Sequence, residues 1–364
     1  MNDKVLTVSV AAYNVERYLD KLLGSVITLK NRDMVEVLII DDGSKDKTGE
    51  VAISYHKQYP DLVRYIRKEN GGHGSTINSG IKEAKGRYFR ALDGDDWLDT
   101  RGTDELIERL VREEHEADVI LTDFQIFTES GQKYECLLKN LKSGKSYSFE
   151  ELETRSHSLR YHSVIYRTSL IRNHNLTLDE HRFFVDSEYV LFPVPYINKI
   201  RYYNLFVYCY RVGHTGQSVS REGRMRHISD SKYVSRNLID FYLAYTKTAK
   251  KAGSTDNNDY YSKSTFIRKQ ISEFCIGHLR AMMSLPISKE NHEMIREYDA
   301  YLKLKNPEIF DSLNSRRDIR LLRSSGSFGY FAGHILAGLR DYVMKKSVTG
   351  KSTGWKKKLW KMWE

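Results

Sequence analysis

Four aspartates fall within seven positions of the stretch RYFRALDGDDWLD, residues 87–99, and no basic side chain stands among them. Asp93, Asp95, Asp96 and Asp99 repel one another at neutral pH, so a solvated acidic turn is the plain reading and context has to decide. Two aspartates at i and i+2 on a turn present hard oxygen ligands that suit Mg²⁺ or Mn²⁺, with positions left open for phosphate oxygens. An EF-hand is excluded: a loop starting at Asp93 puts Trp97 at its fifth position, Leu98 where glycine is required and Asp104 at its twelfth. Gly72-His73-Gly74 is no dinucleotide fingerprint, because Ile77 occupies the third glycine position, and the chain has no P-loop. The acids therefore point to a metal and a phosphate-bearing ligand, held without either standard nucleotide loop.

The elements that must position them alternate in type. VLTVSVAAY, VEVLIIDD, VRYIRK and YFRALD have strand character, and ERYLDKLLGSVITL, DKTGEVAISYHKQY and STINSGIKEAK, lying between them in order, have helical spacing. This βαβαβαβ rhythm predicts an α/β fold, a mostly parallel sheet with helices on both faces. Ligands of such sheets bind beyond the carboxyl ends of the strands. There stand Tyr13 and Asn14, then Asp41 and Asp42, then Asn70 and Gly71, then the aspartate cluster. Four successive strands ending in polar contacts at one rim make a site.

Bulk properties narrow the class. The chain has 364 residues, long for one core, and a net charge of +10. Cys136, Cys209 and Cys275 are far apart, which suits a reducing compartment and offers no zinc site. No secretory leader and no membrane-length apolar run is legible, so an intracellular, soluble or membrane-peripheral protein is expected. Seven lysines and no acid lie between Lys345 and Lys361, interleaved with Trp355 and Trp360, with Trp363 just beyond. Lysine with tryptophan suits an anionic membrane surface, and the apolar helical stripe upstream suits the same surface. Nucleic acid is not expected as a partner, since no recognisable binding motif is present.

Four segments in order and spacing, VSVAAYNVERYL, VEVLIIDDGSKDKT, ENGGHGSTINSGIKEAKGRYF and LDGDDWL, resemble a family 2 glycosyltransferase with the GT-A fold. The resemblance covers roughly residues 5–220. It implies a nucleotide-diphospho-sugar donor, usually a UDP-sugar, and Mn²⁺ or Mg²⁺. By resemblance, Asp42 would hold the base edge of the nucleoside, with Tyr13 and the backbone around Ala11 lining the base pocket. Asp93 and Asp95 match the DXD motif, Asp93 near ribose and metal and Asp95 the direct metal ligand; Asp96 would bond backbone amides of its own turn or stand behind the metal ligands. Asp186 in RFFVDSEYVLFPVPYI stands at the position of the catalytic base, with Glu188 the runner-up and Asp179 or Glu180 behind. YCYRVGHTGQSVSR resembles the segment that closes over the donor phosphates: Arg211 would stabilise the diphosphate, His214 join the metal and Ser218 touch phosphate.

The chain departs from the family pattern in two places. Ala11 replaces the usual proline, and Ile77 replaces an arginine that contacts donor phosphate, a role that would pass to His73 or Lys82. The QxxRW motif of processive synthases is absent, so one sugar per encounter is expected. Three parts are expected: a GT-A domain over 1–225 (nucleotide-sugar part about 1–125, acceptor part about 126–225), a helical region over 226–318, and a basic amphipathic tail over 319–364. The expected activity is inverting transfer of one sugar to a hydroxyl of a lipid-linked saccharide or cell-envelope polymer, at the inner face of the cell membrane. An oligomer is compatible with the helical region. Two other readings share the fold, a catalytically degenerate membrane-tethered scaffold or sensor, and a sugar nucleotidyltransferase.

Overall fold

The structure is a computed structural model that describes residues 4–113, 116–154, 159–213, 217–218, 220–253, 257–324 and 329–335. Strands β1 (Leu6–Ala12), β2 (Val35–Asp41), β3 (Val63–Arg67) and β4 (Tyr88–Asp93) alternate with helices α1 (Glu16–Ile27), α2 (Thr48–Gln58) and α3 (His73–Glu83). Every residue of β2 is buried, as expected of an apolar strand covered on both faces. In α1 the buried residues are Leu19, Leu22, Leu23 and Val26, one stripe at helical spacing against the sheet. β1 pairs in parallel with β2 on one side and β4 on the other, and β2 with β3.

Beyond β4 the sheet changes character. β5 (Trp97–Leu98) follows the aspartate turn, then come α4 (Thr100–Val111), β6 (Val119–Thr128), β7 (Lys133–Cys136), β8 (Ser146–Tyr147), α5 (Phe149–Thr154), β9 (Val164–Arg167), α6 (Thr168–Asn173), α7 (Asp186–Leu191) and β10 (Ile200–Val212). The strand order is β3-β2-β1-β4-β9-β6-β10-β5, with β7 beside β6 and β8 beside β10. The pairings of β9 with β4 and β6, and of β10 with β5, are antiparallel. The expected α/β fold is present, but its parallel pairing is confined to the first four strands, and the sheet as a whole is mixed. Each of the first three connections carries a crossover helix, as parallel strands require, whereas β6 and β7 are joined as a short antiparallel hairpin.

The chain divides into two compact units, one of Met1–Phe127, Lys133–Arg211 and Ala252–Lys263, the other of Thr128–Gln132, Val212–Lys251 and Ser264–Glu364. The structure thus ends the first unit's main run at Arg211, where the sequence suggested a boundary near 225. The second unit holds α8 (Arg221–Arg226), α9 (Ile228–Lys251), most of α10 (Asn258–Met283), α11 (Lys289–Lys305), α12 (Pro307–Ser312) and α13 (Arg317–Ser324). Ile319 and Leu322 of α13 are buried, and Arg323 pairs with Asp299 at 2.6 Å, so these residues belong to the helical core rather than to a tail. Residues 336–364, with the lysines and tryptophans, lie outside the described residues. No helix among the described residues is long and apolar enough to cross a membrane.

Candidate active site

The carboxyl ends of β1, β2 and β4 meet at one rim. After β1, Asn14 takes a left-handed conformation at φ 54° and its backbone N–H donates to Ser44 Oγ at 3.0 Å. In return, Lys45 N–H donates to Asn14 Oδ1 at 2.8 Å, so the turns after β1 and β2 lock each other. Tyr13, just before, is 47% exposed, a flat aromatic surface on a fixed turn. Ala11 is partly covered, and its carbonyl accepts from Gly94 N–H at 3.0 Å, which ties the aspartate turn to β1.

Asp42 is buried, and its carboxylate is fully engaged. It accepts from the backbone N–H groups of Gly71 and Gly72 at 2.9 and 2.8 Å, from Lys68 Nζ at 2.8 Å and from Ser75 Oγ at 3.3 Å. Asn70 Nδ2 donates to the Asp42 carbonyl at 2.9 Å. One carboxylate thus shapes the whole loop that leads into α3, and with both oxygens bonded within the chain it does not stand free for a base edge, a correction to the role that the resemblance implies. Gly72 there has φ +83°, and a Cβ at Gly74 would lie 2.0 Å from the Asp179 carbonyl oxygen, so the loop fits beneath the segment before α7 only with glycine.

At the end of β4, Asp93, Asp95 and Asp96 each offer an oxygen, all within 4.8 Å of one another. They are not equivalent. Asp96 is 1% exposed, and it accepts from Tyr208 O–H at 2.6 Å and from Arg211 N–H at 2.7 Å. Burial, then the charges of Asp95 and Asp93, push its pKa well up. Its bonds run to β10 rather than to amides of its own turn, a correction to the expected role. Asp93 is half-buried; its Oδ1 lies 3.0 Å from both His73 Nε2 and Tyr161 Oη, and its backbone N–H donates to Tyr208 Oη at 3.2 Å. Burial opposes the Asp93 charge, but the bond and charge of His73 outweigh it and hold the pKa below the ordinary value. Burial likewise opposes a charged His73, and Asp93 again wins, raising the imidazole pKa. Asp99, as expected of a turn residue, caps α4 by accepting from Gly102 N–H at 2.8 Å.

A set of two half-open carboxylates with a third carboxylate behind them is all hard oxygen, and it fits a divalent ion of the Mg²⁺ or Mn²⁺ type. The two outer groups, Asp93 and Asp95, have the better access, since Asp96 is buried in bonds to β10. Asp186 opens α7. Its side chain is exposed to solvent. Burial raises its pKa, His73 pulls the other way and Asp93 adds to the rise. That solvent contact limits how far the shift goes. Asp186 and Asp93 both act on His73, so the three share one electrostatic environment.

Residues 7–173 match the family model described as Glycosyl transferase family 2. This segment is a family 2 glycosyltransferase domain. Among relatives, the domain is similar to the glycosyltransferase GlyA of Streptococcus pneumoniae, 34% identical over 128 residues that make up 35% of this chain and 18% of that one. The minor teichoic acid biosynthesis protein GgaB of Bacillus subtilis is 28% identical over 249 residues, 66% of this chain and 27% of GgaB. The chain thus spans well under two thirds of the length of these curated relatives. Among solved structures, the crystal structure of S. aureus TarS 1-349 in complex with UDP-GlcNAc superposes with a TM-score of 0.61 at 18% identity, over 95% of this chain and 92% of TarS 1-349. That likeness concerns the fold.

The glycosyltransferase domain brings Ala11, Tyr13, Asp42, Asn70, Gly71, Asp93 and Asp95 to one rim. Glu188 is elsewhere in kind: it is fully buried and accepts from Asp179 N–H at 2.8 Å. Arg211 donates from Nε to the Asp95 carbonyl at 2.8 Å, and its guanidinium lies over the rings of Tyr18 and Trp97 at 4.9 and 5.0 Å. Lys82 is exposed and Ile77 buried. Ser218 stands in the second unit on the approach to α8, and His214 lies outside the described residues. Sequence reasoning missed Tyr161, Tyr208 and Lys68. Tyr161 lies in no motif and Tyr208 only opens the segment YCYRVGHTGQSVSR; the antiparallel pairing of the second half of the sheet brings both to the aspartate turn.

Proposed function

We propose that the chain is an inverting glycosyltransferase that moves one sugar from a nucleotide-diphospho-sugar to a hydroxyl of a cell-envelope polymer or lipid-linked saccharide. The observation that carries this reading is that solvent-exposed Asp186 lies close enough to the acidic turn to act, with Asp93, on His73. A UDP-sugar is the donor favoured here, in line with the UDP-GlcNAc complex of TarS. A wall or envelope polymer as acceptor is in line with the description of GgaB as a teichoic acid biosynthesis protein.

In this reading Tyr13 and the backbone at Ala11 receive the base, and Asp42 shapes that pocket with Asn70 and Gly71 through the loop it holds. Asp93 and Asp95 would hold Mn²⁺ or Mg²⁺, whose chemistry when bound is to offset charge on the departing diphosphate. Arg211 and Ser218 are proposed to meet donor phosphate, and His214 to complete the metal set. Asp186 takes the proton of the acceptor hydroxyl as it attacks the sugar carbon from the face opposite the leaving group. Glu188, buried and bonded, has no path to an acceptor.

Replacing Asp186 with Asn tests the assignment. Donor affinity should stay within about twofold while transfer falls on the order of a hundredfold or more, the usual scale for losing a general base. Transfer at the original rate would move the base elsewhere. The lysine- and tryptophan-rich segment 345–363 is proposed to meet an anionic membrane surface at the inner face of the cell membrane. Sedimentation with vesicles rich in anionic lipid should fall when the chain is ended at residue 335; equal sedimentation would count against the membrane proposal.

A further inference from the structure

We propose that His73 is a positioning residue that fixes the carboxylate of Asp93 so that a single oxygen faces the metal. The inference rests on the metal reading given above. Asp93 has two carboxylate oxygens with different surroundings. Oδ1 meets His73 Nε2 and Tyr161 Oη, each at 3.0 Å, while Oδ2 takes no hydrogen bond among the described residues. Two donors on one oxygen stop the carboxylate from turning about its Cβ–Cγ bond, and the other oxygen is then presented in one direction.

The donors come from separate elements, His73 from the first turn of α3 and Tyr161 from the segment just before β9. The orientation therefore does not depend on a single loop. Asp96 makes the contrast: both of its oxygens are engaged by β10 and it is 1% exposed. Asp93 is held at one oxygen and open at the other. Partners behind a metal ligand act in this way, orienting it and stabilising its charged form before the ion arrives, and their loss commonly weakens binding by about 10- to 100-fold. Here the need is sharpened by Asp95, whose charge would otherwise push Asp93 aside.

The experiment is a Mn²⁺ titration of the full chain in the presence of UDP, followed by the electron paramagnetic resonance of free Mn²⁺. Metal-free thermal melts are run alongside. His73→Ala should weaken Mn²⁺ binding by about 10- to 100-fold with little change in the metal-free melt. His73→Gln, which keeps an N–H near the place of Nε2, should recover most of that loss, and Tyr161→Phe should weaken binding by a smaller factor. Asp95→Asn serves as the reference for a lost ligand. If Asp95→Asn abolishes binding while His73→Ala leaves it unchanged, the positioning role is wrong and the metal reading stands. If both His73 variants lose metal-free stability in step with affinity, the role is structural and the proposal is overturned. A native chain that binds no Mn²⁺ with UDP removes the metal reading and this inference together.

Discussion

The two halves of the sheet divide the work of the site. The parallel half, β1 to β4, carries at its rim the groups proposed to have chemical roles, Tyr13, Asp42, Asp93 and Asp95. The antiparallel half supplies braces. Tyr208 of β10 accepts from Asp93 N–H and donates to Asp96, so one hydroxyl ties both ends of the acidic turn. Arg211 bonds the Asp95 carbonyl and the Asp96 carboxylate, and β5, which follows the turn, pairs with β10 at Tyr208 and Cys209. Arg90 joins the halves from the other direction. It is fully buried in β4, donates to the carbonyls of His162 and Val164, and lies over the Tyr208 ring at 4.9 Å. Burial lowers its pKa to about 10, which leaves the guanidinium charged at neutral pH. Of the crowded carboxylates, Asp93 and Asp96 are bonded by the neighbouring half of the sheet.

That division separates activity from stability, and substitutions can test it. Asp95→Asn should lower metal-dependent transfer by about a hundredfold or more, since it removes a group acting on transition-state charge. It should leave the melting temperature unchanged or slightly higher, because one repulsion disappears. A large loss of stability would break the division. Tyr208→Phe should do the reverse in emphasis, costing about 2 kcal/mol in denaturant unfolding for the lost bonds to Asp96 and Asp93. A variant as stable as the native chain would show that the brace is dispensable.

The helical unit offers a separate test, bracing with no chemistry attached. His278 is buried, its Nδ1 lies 2.6 Å from Ser231 Oγ, and its ring meets Tyr298 edge-on at 4.6 Å. Burial, then the charges of Lys232 and Arg236, lower its pKa to about 3. The unfolded chain takes up a proton near pH 6.5 that the folded unit refuses. The contribution of His278 is therefore complete above about pH 6.5 and is lost as pH falls from there toward 3. It should lose up to about 1.4 kcal/mol per pH unit in that window. His278→Gln should flatten this part of the stability curve, and an unchanged slope would assign the acid sensitivity to other groups.

The same division explains what was legible in the sequence. β1 to β4 and their helices could be read because buried parallel strands are continuous apolar runs and each ends in turn residues. The polar residues at that rim could be read for the same reason, being placed by strand ends. The braces could not. Tyr161, Tyr208 and Arg90 sit in stretches such as LRYHSVIYR and FVYCYRV, whose aromatic and basic residues suit a core, a surface or a site equally well. Their role comes from the pairing of β9 with β4 and of β10 with β5, contacts between residues about 70 to 115 positions apart that no local pattern encodes. Asp96 shows the cost of reading locally: an acid in a turn was expected to serve that turn, and it serves β10 instead.

The central claim is that the rim binds a sugar nucleotide through the Asp93–Asp95 carboxylates. Calorimetric titration of the full chain with a panel of nucleotide sugars, with and without Mn²⁺, measures it most directly. The account predicts saturable binding of a UDP-sugar that requires Mn²⁺ and is lost on chelation. Absence of binding by every nucleotide sugar in the presence of Mn²⁺ would contradict it and favour a catalytically degenerate scaffold.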